Sequence, residues 1–147
     1  MRSNLPVNIF ANPLLSAVDE LLAKAELPSS DLDQSKLSSF FGCESDNELV
    51  GLVGLELFES VALLRSLAVD VSQQSSGLGS MLVNHAEEFA RSVGVECVYL
   101  LTTTAETYFD TLGYRNISRD SAPTSIRGTE QFSDLCPEES ALMIKFL

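Results

Sequence analysis

A glycine-containing segment in the middle of the chain has the residue types of an anion-binding loop. Residues 72–82 read SQQSSGLGSML, with Gly77 and Gly79 one residue apart and an apolar helical pattern after them. The first N–H groups of a helix lack intrahelical acceptors and lie at the positive end of the helix dipole, so they can bind an anionic oxygen. A missing side chain at Gly79 lets a ligand approach the backbone closely. The segment therefore predicts a phosphate-binding loop.

The spacing of this loop excludes two common phosphate-binding motifs. A Walker A loop needs Gly-Lys-Ser/Thr after its spacer, and a dinucleotide-binding loop needs a third glycine, which would fall at Leu82. Neither requirement is met. What remains is Gln74-x-x-Gly77-x-Gly79 between a strand and a helix, with a tight turn that binds nothing as the alternative.

The elements around this loop follow alternating strand and helix patterns. Asp46-Asn47 marks a hairpin turn, and Thr103-x-x-Glu106 has the spacing of a capping box. The order predicts a mixed α/β fold, with hairpins first and a strand–helix–strand unit in the middle. The patterns predict helices at 13–25, 34–40, 78–94 and 105–113, and strands at 41–45, 48–58, 61–69, 95–101, 114–118 and 140–147.

Composition limits the class of protein. The 147 residues are 45% apolar and 20% charged, which suits one globular domain spanning 1–147. The formal net charge of −12 argues against nucleic acid as a partner and favours a small substrate. Because no segment resembles a membrane span or a signal peptide, we expect a soluble, cytoplasmic protein with no membrane partner. The three cysteines have no paired spacing, so they predict neither a disulfide framework nor a metal site.

Two motifs together resemble the GNAT superfamily of N-acetyltransferases. Residues 67–83, LAVDVSQQSSGLGSMLV, resemble its acetyl-coenzyme A loop, and residues 105–114, AETYFDTLGY, resemble its later helix and Gly-aromatic motif. The resemblance covers about 45–118 and implies a central, mostly antiparallel sheet flanked by helices and splayed near Val69. More narrowly, the segments LVGLVGLE, ALLRSLAV, YLLTTTAE and RDSAPTSIRGTEQFSDLCP resemble small acetyltransferases of arsenic-resistance operons. This resemblance also implies a homodimer.

The resemblance implies that acetyl-CoA is the acetyl donor and that no metal is needed. It implies that loop amides bind the pyrophosphate, and that a strand backbone pairs with the pantetheine arm and polarises the thioester carbonyl. The loop contains no Lys or Arg, so donor affinity has to come from amides, the helix dipole and pantetheine contacts. The residues assigned to the donor in this way are Leu67, Ala68, Val69, Gln74, Ser75, Gly77, Leu78, Gly79, Ser80 and Phe109.

The residues that could act as catalytic acid and base each have a second, structural interpretation. A tyrosine of the family often protonates the leaving thiolate, and Phe109 occupies that position, with Tyr108 one residue earlier. Tyr108 is therefore either the acid or a core aromatic residue. Glu56 is the only acidic residue in the interior of a central predicted strand, so it is either the general base or a carboxylate that is paired or faces an edge.

Two arginines are expected to bind the acceptor. Arg65 lies in an apolar strand and needs an anion, which is either Glu56 or a substrate carboxylate. Arg127, in the segment 120–137, offers a second guanidinium for that carboxylate. Arg119 is predicted to be solvated or paired with Asp120.

Two further residues are predicted to be structural. His85, the single histidine, lies on the apolar stripe of a helix and is expected to pack rather than to catalyse. Cys136 is expected to be an incidental thiol.

These features predict an N-acetyltransferase that acts on the primary amine of a small molecule. An amino-acid-like arsenical or a related toxin is the acceptor that the narrower resemblance implies. The alternative is a non-catalytic acyl-CoA sensor or interaction module. Acetylation of protein N-termini needs an open acceptor groove, which residues 120–137 would disfavour if they cover the pocket.

Overall fold

A computed structural model describes residues 8–74, 76–135 and 140–147 of the chain. Within these residues no helix has the length and apolar content needed to cross a membrane. The strands are β1 (Ile9–Ala11), β2 (Phe40–Ser45), β3 (Glu48–Phe58), β4 (Val61–Val69), β5 (Cys97–Thr102), β6 (Arg115–Ile117) and β7 (Ala141–Phe146). The α-helices are α1 (Leu15–Lys24), α2 (Leu78–Ser92), α3 (Glu106–Thr111) and α4 (Thr124–Arg127), with 3-10 turns at Gln34–Ser39, Val71–Gln73 and Arg119–Ser121 and a π turn at Gln131–Leu135.

The seven strands form one sheet in the order β1-β2-β3-β4-β5-β7-β6. β1 with β2, β2 with β3, β5 with β7 and β6 with β7 are antiparallel, whereas β4 and β5 are parallel. The parallel register joins Val61–Leu63 to Cys97–Tyr99, and β4 itself continues to Val69. The predicted mixed α/β fold with a mostly antiparallel sheet is confirmed.

The backbone divides into two compact units. The first comprises the described residues up to Leu55 together with Ser66–Glu88, and the second comprises Glu56–Arg65 and the described residues from Phe89 onward. The core of the first unit contains Val18, Leu21, Leu22, Leu37, Phe40, Leu52 and Ala68. The core of the second contains Leu63, Tyr99, Ala122, Ile126, Leu142 and Ile144. A single domain over the whole chain stays a prediction.

The first unit is built on the predicted hairpin and the helix that follows the loop. Asp46 and Asn47 connect β2 to β3 with φ values of 54° and 66°, the left-handed pair that a two-residue hairpin turn requires. On β3, a Cβ added to Gly51 would lie 2.9 Å from Leu82 and 3.0 Å from Leu78, both on α2. The bare backbone at Gly51 therefore lets the first turns of α2 pack closely on the sheet.

The predicted capping box at the start of α3 is wrong. The helix begins at Glu106 after an N-cap at Ala105, whose N–H donates to Oγ1 of Thr102 at 3.0 Å. Glu106 does not bond back to Thr103, because its carboxylate accepts from the Asn116 side chain at 2.8 Å. The helix therefore begins without a side-chain cap, and the Thr102 hydroxyl at the end of β5 fixes the turn that leads into it.

Candidate active site

The loop after β4 begins with a fixed turn. The Asp70 N–H donates to the Val50 carbonyl at 2.8 Å, which continues the sheet contact one residue past the strand. The Asp70 carboxylate accepts from the backbone N–H of Ser72 at 3.1 Å and from its hydroxyl at 2.7 Å. These hydrogen bonds lower the pKa of Asp70, the hydroxyl contributing most. The loop entrance is therefore shaped by an ionised carboxylate at neutral pH.

The side chains of the loop stabilise its own backbone. Nε2 of Gln74 donates to the Val69 carbonyl at 3.1 Å, and the Ser76 hydroxyl donates to the Gln73 carbonyl. The signature glutamine thus closes the loop onto the end of β4, and its backbone N–H donates to the Val71 carbonyl at 3.3 Å. Donor binding by Gln74 stays a prediction. Ser75 lies outside the described residues.

The glycine at the start of α2 leaves open space above the backbone. Gly77 has φ of +87°, and a Cβ built on it would meet nothing within 4 Å. The helix begins at Leu78, and the N–H of Met81 closes the first turn on the Gly77 carbonyl at 3.1 Å. The amides of Leu78 and Gly79 precede this bond, where helices direct N–H groups to other acceptors. These amides, which directly follow a glycine with free space around it, fit an anionic oxygen bound without side chains.

The interior of β4 contains a distortion that sequence reasoning missed. Ser66 has φ of +60°, a left-handed conformation in the middle of a strand. Such a residue breaks the alternation of a strand and redirects its backbone groups, as a β-bulge does. It stands directly before Leu67, Ala68 and Val69, the stretch assigned to the pantetheine arm. The sequence does not predict this distortion, because serine is not a residue that favours positive φ.

In the second unit, the predicted base and the predicted substrate arginine form an ion pair. Nη1 of Arg65 lies 2.8 Å from Oε2 of Glu56. The Arg65 side chain is 1% exposed, whereas that of Glu56 is 27% exposed. The pairing that the sequence left open is therefore present, and the Glu56 carboxylate still reaches solvent. A catalytic role for either residue stays a prediction.

The predicted acid belongs to a row of three aromatic rings. Tyr108 packs edge-on against Phe109 with ring centroids 5.3 Å apart, and Phe109 packs edge-on against Tyr114 at 5.7 Å. Phe109 and Tyr114 are buried, and Tyr108 is partly exposed. Tyr108 is thus the most exposed residue of the three, and its role as an acid stays a prediction.

Two other arginines of the second unit, Arg119 and Arg127, bond to backbone carbonyls. Arg127 donates from Nε to the Ala122 carbonyl at 3.1 Å and from Nη2 to the Asp120 carbonyl at 2.7 Å. Arg119 donates to the Ser140 carbonyl at 2.9 Å and lies 4.5 Å from the Phe132 ring centroid. Arg119, predicted to be solvated or paired with Asp120, is half-buried, and a carbonyl and a ring are the partners that hold it. Substrate binding by Arg127 stays a prediction.

The two residues predicted to be structural are His85 and Cys136. The His85 ring packs edge-on against Phe41 with centroids 4.8 Å apart, the packing contact expected of a structural histidine. Cys136 lies outside the described residues. Among the residues that the structure describes, no group of three or more His, Cys, Asp or Glu could hold a metal ion.

Comparison with known proteins identifies relatives of this fold and loop. The model of the acetyltransferase (GNAT) family matches residues 11–114. An amino-acid acetyltransferase of Neisseria meningitidis is 28% identical over 96 residues, which are 64% of this chain and 22% of that protein. The chain therefore spans about a fifth of the length of that relative.

Solved structures agree in fold. N-acetylglutamate synthase from Neisseria gonorrhoeae, solved with coenzyme A and N-acetyl-glutamate, superposes with a TM-score of 0.84 at 23% identity, over 95% of this chain and 35% of that chain. A Mycobacterium tuberculosis protein solved with coenzyme A superposes with a TM-score of 0.78 at 16% identity, over 95% of this chain and 99% of that one. At these identities the superpositions establish the fold.

Proposed function

The chain belongs to the GNAT family of acetyltransferases, and from that membership we propose that it moves the acetyl group of acetyl-CoA to the primary amine of a small, amino-acid-like molecule. One observation carries the proposal: a strand with a left-handed residue at Ser66 leads into a glycine loop whose helix starts beneath open space. That arrangement suits a ligand that is both extended and anionic, as the pantetheine arm and pyrophosphate of coenzyme A are.

The donor would be held mainly by backbone. The strand stretch after Ser66 would pair with the pantetheine arm, and the loop and first helical turn would bind the pyrophosphate. The side chain of Leu78 is fully buried, so this residue would contribute its N–H alone. The proposed donor-binding residues are Leu67, Ala68, Val69, Gln74, Ser75, Gly77, Leu78, Gly79, Ser80 and Phe109.

The chain would supply proton transfer around the acetyl group. Acetyl-CoA, when bound, supplies that group as an activated thioester. An amine attacks only when it is neutral, so a base has to accept its proton, and the partly exposed carboxylate of Glu56 is the group we propose. Arg65 would fix the direction of that carboxylate through the 2.8 Å contact. The Tyr108 hydroxyl is the group proposed to protonate the departing sulfur.

The acceptor is proposed to carry a carboxylate beside its amine. Support comes from the relatives named amino-acid acetyltransferase and from the guanidinium group of Arg127 in the second unit. Arg65, predicted for the same role, is 1% exposed and pairs with Glu56, so its part in acceptor binding stays a hypothesis. An amino-acid-like arsenical stays a hypothesis that rests on the sequence resemblance alone. A homodimer is likewise proposed on that basis, and the cytoplasmic location stays an expectation from the sequence.

Calorimetric titration of acetyl-CoA tests the donor site. A valine at position 79 would place a branched side chain over the amides that face the pyrophosphate, so Gly79→Val is expected to weaken the Kd at least about tenfold. Asn84→Val, on an exposed position of the same helix, is the matched control and is expected to bind like the wild type. Absence of acetyl-CoA binding by the folded wild type would overturn the proposal.

A non-catalytic acyl-CoA sensor is the second candidate. It is favoured by the ion pair that engages Glu56 and by the buried Phe109 at the position of the family acid. Release of the coenzyme A thiol, followed over a panel of amino acids and other small amines, separates the two functions. Turnover above the hydrolysis blank with any amine excludes the sensor, whereas micromolar binding with no turnover across the panel supports it.

A further inference from the structure

Lys145, near the end of β7, holds the end of α3. Its Nζ donates to the carbonyl of Leu112, the C-cap residue of the helix, at 2.8 Å. A cation suits this position, because the last carbonyls of a helix lie at the negative end of its dipole. β7 is paired with β5 on one side and with β6 on the other, so the backbone that carries the lysine is fixed. The contact therefore ties the helix end to an inner strand of the second unit's sheet.

Gly113 leaves room for the stem of this lysine. The glycine has φ of +98°, and a Cβ built on it would lie 3.2 Å from Cε of Lys145, closer than an ordinary contact. A side chain at this position would therefore push the lysine away from the Leu112 carbonyl, besides straining the left-handed backbone. The glycine that follows α3 thus serves a contact made by a residue from the other end of the unit.

Lys145 also contacts the row of aromatic rings that ends at the proposed acid. Its Nζ lies 5.6 Å from the ring centroid of Tyr114, within the range of a cation–π contact. Tyr114 is buried and packs edge-on against Phe109, which packs edge-on against Tyr108. The lysine and Tyr108 therefore stand at opposite ends of one packed series of rings.

The position of α3 depends on contacts with the rest of the unit. The helix has six residues, and a helix this short is not stable without tertiary contacts. Hydrogen bonds to Thr102 and Asn116 hold its beginning, and the Lys145 contact holds its end. A shift of either end moves the whole helix and with it the side chain of Tyr108.

We propose that Lys145 is a positioning residue for acetyl transfer, because it fixes α3 and thereby the place of the Tyr108 hydroxyl. The inference rests on the proposed function, in which Tyr108 protonates the departing sulfur. It extends that function by naming a residue that acts on the rate through another residue. Proton transfer requires the hydroxyl within about 3 Å of the sulfur, so a displacement of about 1 Å is enough to slow it.

The step concerned is the collapse of the thioester. The amine nitrogen forms a bond to the acetyl carbon, and the carbon–sulfur bond breaks with its electron pair going to sulfur. Tyr108 gives its proton to that sulfur, and Glu56 takes a proton from the amine, so that an amide and a free thiol result. Exchange with solvent then returns both side chains to their starting protonation states.

A double-mutant cycle of single-turnover rates tests the proposal. Enzyme in excess over acetyl-CoA is mixed with the fastest amine of the acceptor panel, so that product release does not limit the measured rate. Lys145→Met keeps the stem beside Gly113 and removes the charge and the donor. Lys145→Met and Tyr108→Phe are each expected to slow acetyl transfer about tenfold, at the lower end of general acid catalysis because a thiolate leaves readily.

The double variant decides between a positioning role and a structural one. Combining the two substitutions is expected to slow transfer by less than about twofold beyond either alone, since both withdraw the same proton donor. The KM for the amine is expected to stay within about twofold of the wild type. Losses that multiply in the double variant, or a Lys145→Met variant that melts earlier and transfers at the wild-type rate, would overturn the proposal.

Two further substitutions serve as control and as rescue. Nζ of Lys36, in the first unit, also donates to a backbone carbonyl, that of Asp31, at 2.6 Å, and Lys36→Met is expected to transfer at the wild-type rate. Lys145→Arg keeps a cation and N–H donors, so it is expected to stay within about threefold of the wild type. A loss in either variant as large as that of Lys145→Met would overturn the proposal. If Lys145→Met does not fold, Lys145→Gln, whose side chain ends one bond short of Nζ, replaces it in the cycle.

Amide hydrogen exchange gives a readout that needs no acceptor. Peptides covering 106–114 are expected to exchange at least about threefold faster in Lys145→Met than in the wild type, because the helix end is released. Unchanged exchange there would overturn the inference and leave the proposed function standing, as would a cycle with multiplied losses. A wild type that transfers acetyl to no amine would instead remove the proposed function, and this inference with it.

Discussion

At the scale of single residues, the ion pair in the second unit limits the chemistry that its strands can offer. Arg65 is buried and donates to one carboxylate oxygen of Glu56, while 27% of the Glu56 side-chain surface stays exposed to solvent. A buried guanidinium strongly favours an anionic partner. The contact therefore holds Glu56 in one direction without removing it from solvent, which is compatible with both a structural and a catalytic role.

Glu56→Gln separates these roles. The glutamine oxygen can still accept from Arg65, but the side chain can no longer take a proton, so kcat is expected to fall about 100-fold or more while the Kd for acetyl-CoA stays close to the wild type. The melting temperature is expected to fall as well, because the buried guanidinium loses its anionic partner, so both constants are measured below the melting transition of the variant. Glu59→Gln, on the exposed turn just after β3, is the control and is expected to keep full activity. An unchanged kcat in Glu56→Gln would leave the carboxylate a structural role alone.

The positions of the loop residues could be predicted from the sequence, but the contacts that their side chains make could not. Gln74, Gly77 and Gly79 were identified from spacing, and the loop and helix stand where the pattern put them. The Gln74 carboxamide bonds to the Val69 carbonyl, a contact that depends on loop conformation and is invisible to a motif. Ser66 was missed because backbone strain in a strand comes from its neighbours and not from the residue itself.

At the scale of elements, the start of α3 depends on one hydroxyl. Oγ1 of Thr102 accepts from the Ala105 N–H, whereas Thr103 is exposed. Thr102→Val keeps the shape of the side chain and removes the acceptor of the turn, so it is expected to lower the free energy of unfolding by about 1 kcal/mol. Thr103→Val is the matched control, with little change expected in urea denaturation. Equal losses in the two variants would contradict a role of the Thr102 hydroxyl in holding this turn.

The hairpin of β2 and β3 depends on a glycine opposite an aromatic ring. Phe40 pairs with Gly54, and a Cβ built on Gly54 would lie 2.4 Å from the Phe40 ring. Gly54→Ala is therefore expected to lower the free energy of unfolding by about 1–3 kcal/mol through overpacking. Gly128→Ala is the control, because its Cβ would meet its nearest atom at 3.5 Å and its φ is −81°. A Gly54→Ala variant as stable as this control would show that the ring moves aside freely.

Elements with strong patterns could be predicted closely, and short elements could not. The strands predicted at 48–58 and 61–69 coincide with β3 and β4, since long apolar runs between turn residues leave few alternatives. β1 spans only Ile9–Ala11 and was not predicted, because three residues carry no periodicity. It forms through pairing with β2, a tertiary contact that the local sequence does not encode.

At the scale of the whole molecule, the excess of acidic residues opposes compaction. Twenty-one Asp and Glu face nine Lys and Arg, and the resulting net charge of −12 repels itself in the folded chain. Some carboxylates are nevertheless stabilised by folding. Hydrogen bonds, first from Ser35 and Ser72 respectively, lower the pKa of Asp33 and of Asp70 below the ordinary 3.8. Their stabilisation is present above that value and is lost as the pH falls through the lowered pKa.

The charge repulsion and the stabilisation by the Asp33 and Asp70 hydrogen bonds can be separated by varying salt and pH together. At pH 7, raising NaCl from about 10 mM to about 150 mM shortens the screening length from about 30 Å to about 8 Å, so repulsion weakens. A gain of about 1 kcal/mol in the free energy of unfolding would raise the melting temperature by about 3 °C. We expect a rise of this order in a calorimetric or fluorescence melt. At pH 5 the Asp33 and Asp70 hydrogen bonds persist while the net charge is smaller, so the same salt step is expected to raise the melting temperature less. A melting temperature that falls with salt at pH 7 would contradict this account, because attractive pairs such as Arg65 with Glu56 would then outweigh the general repulsion.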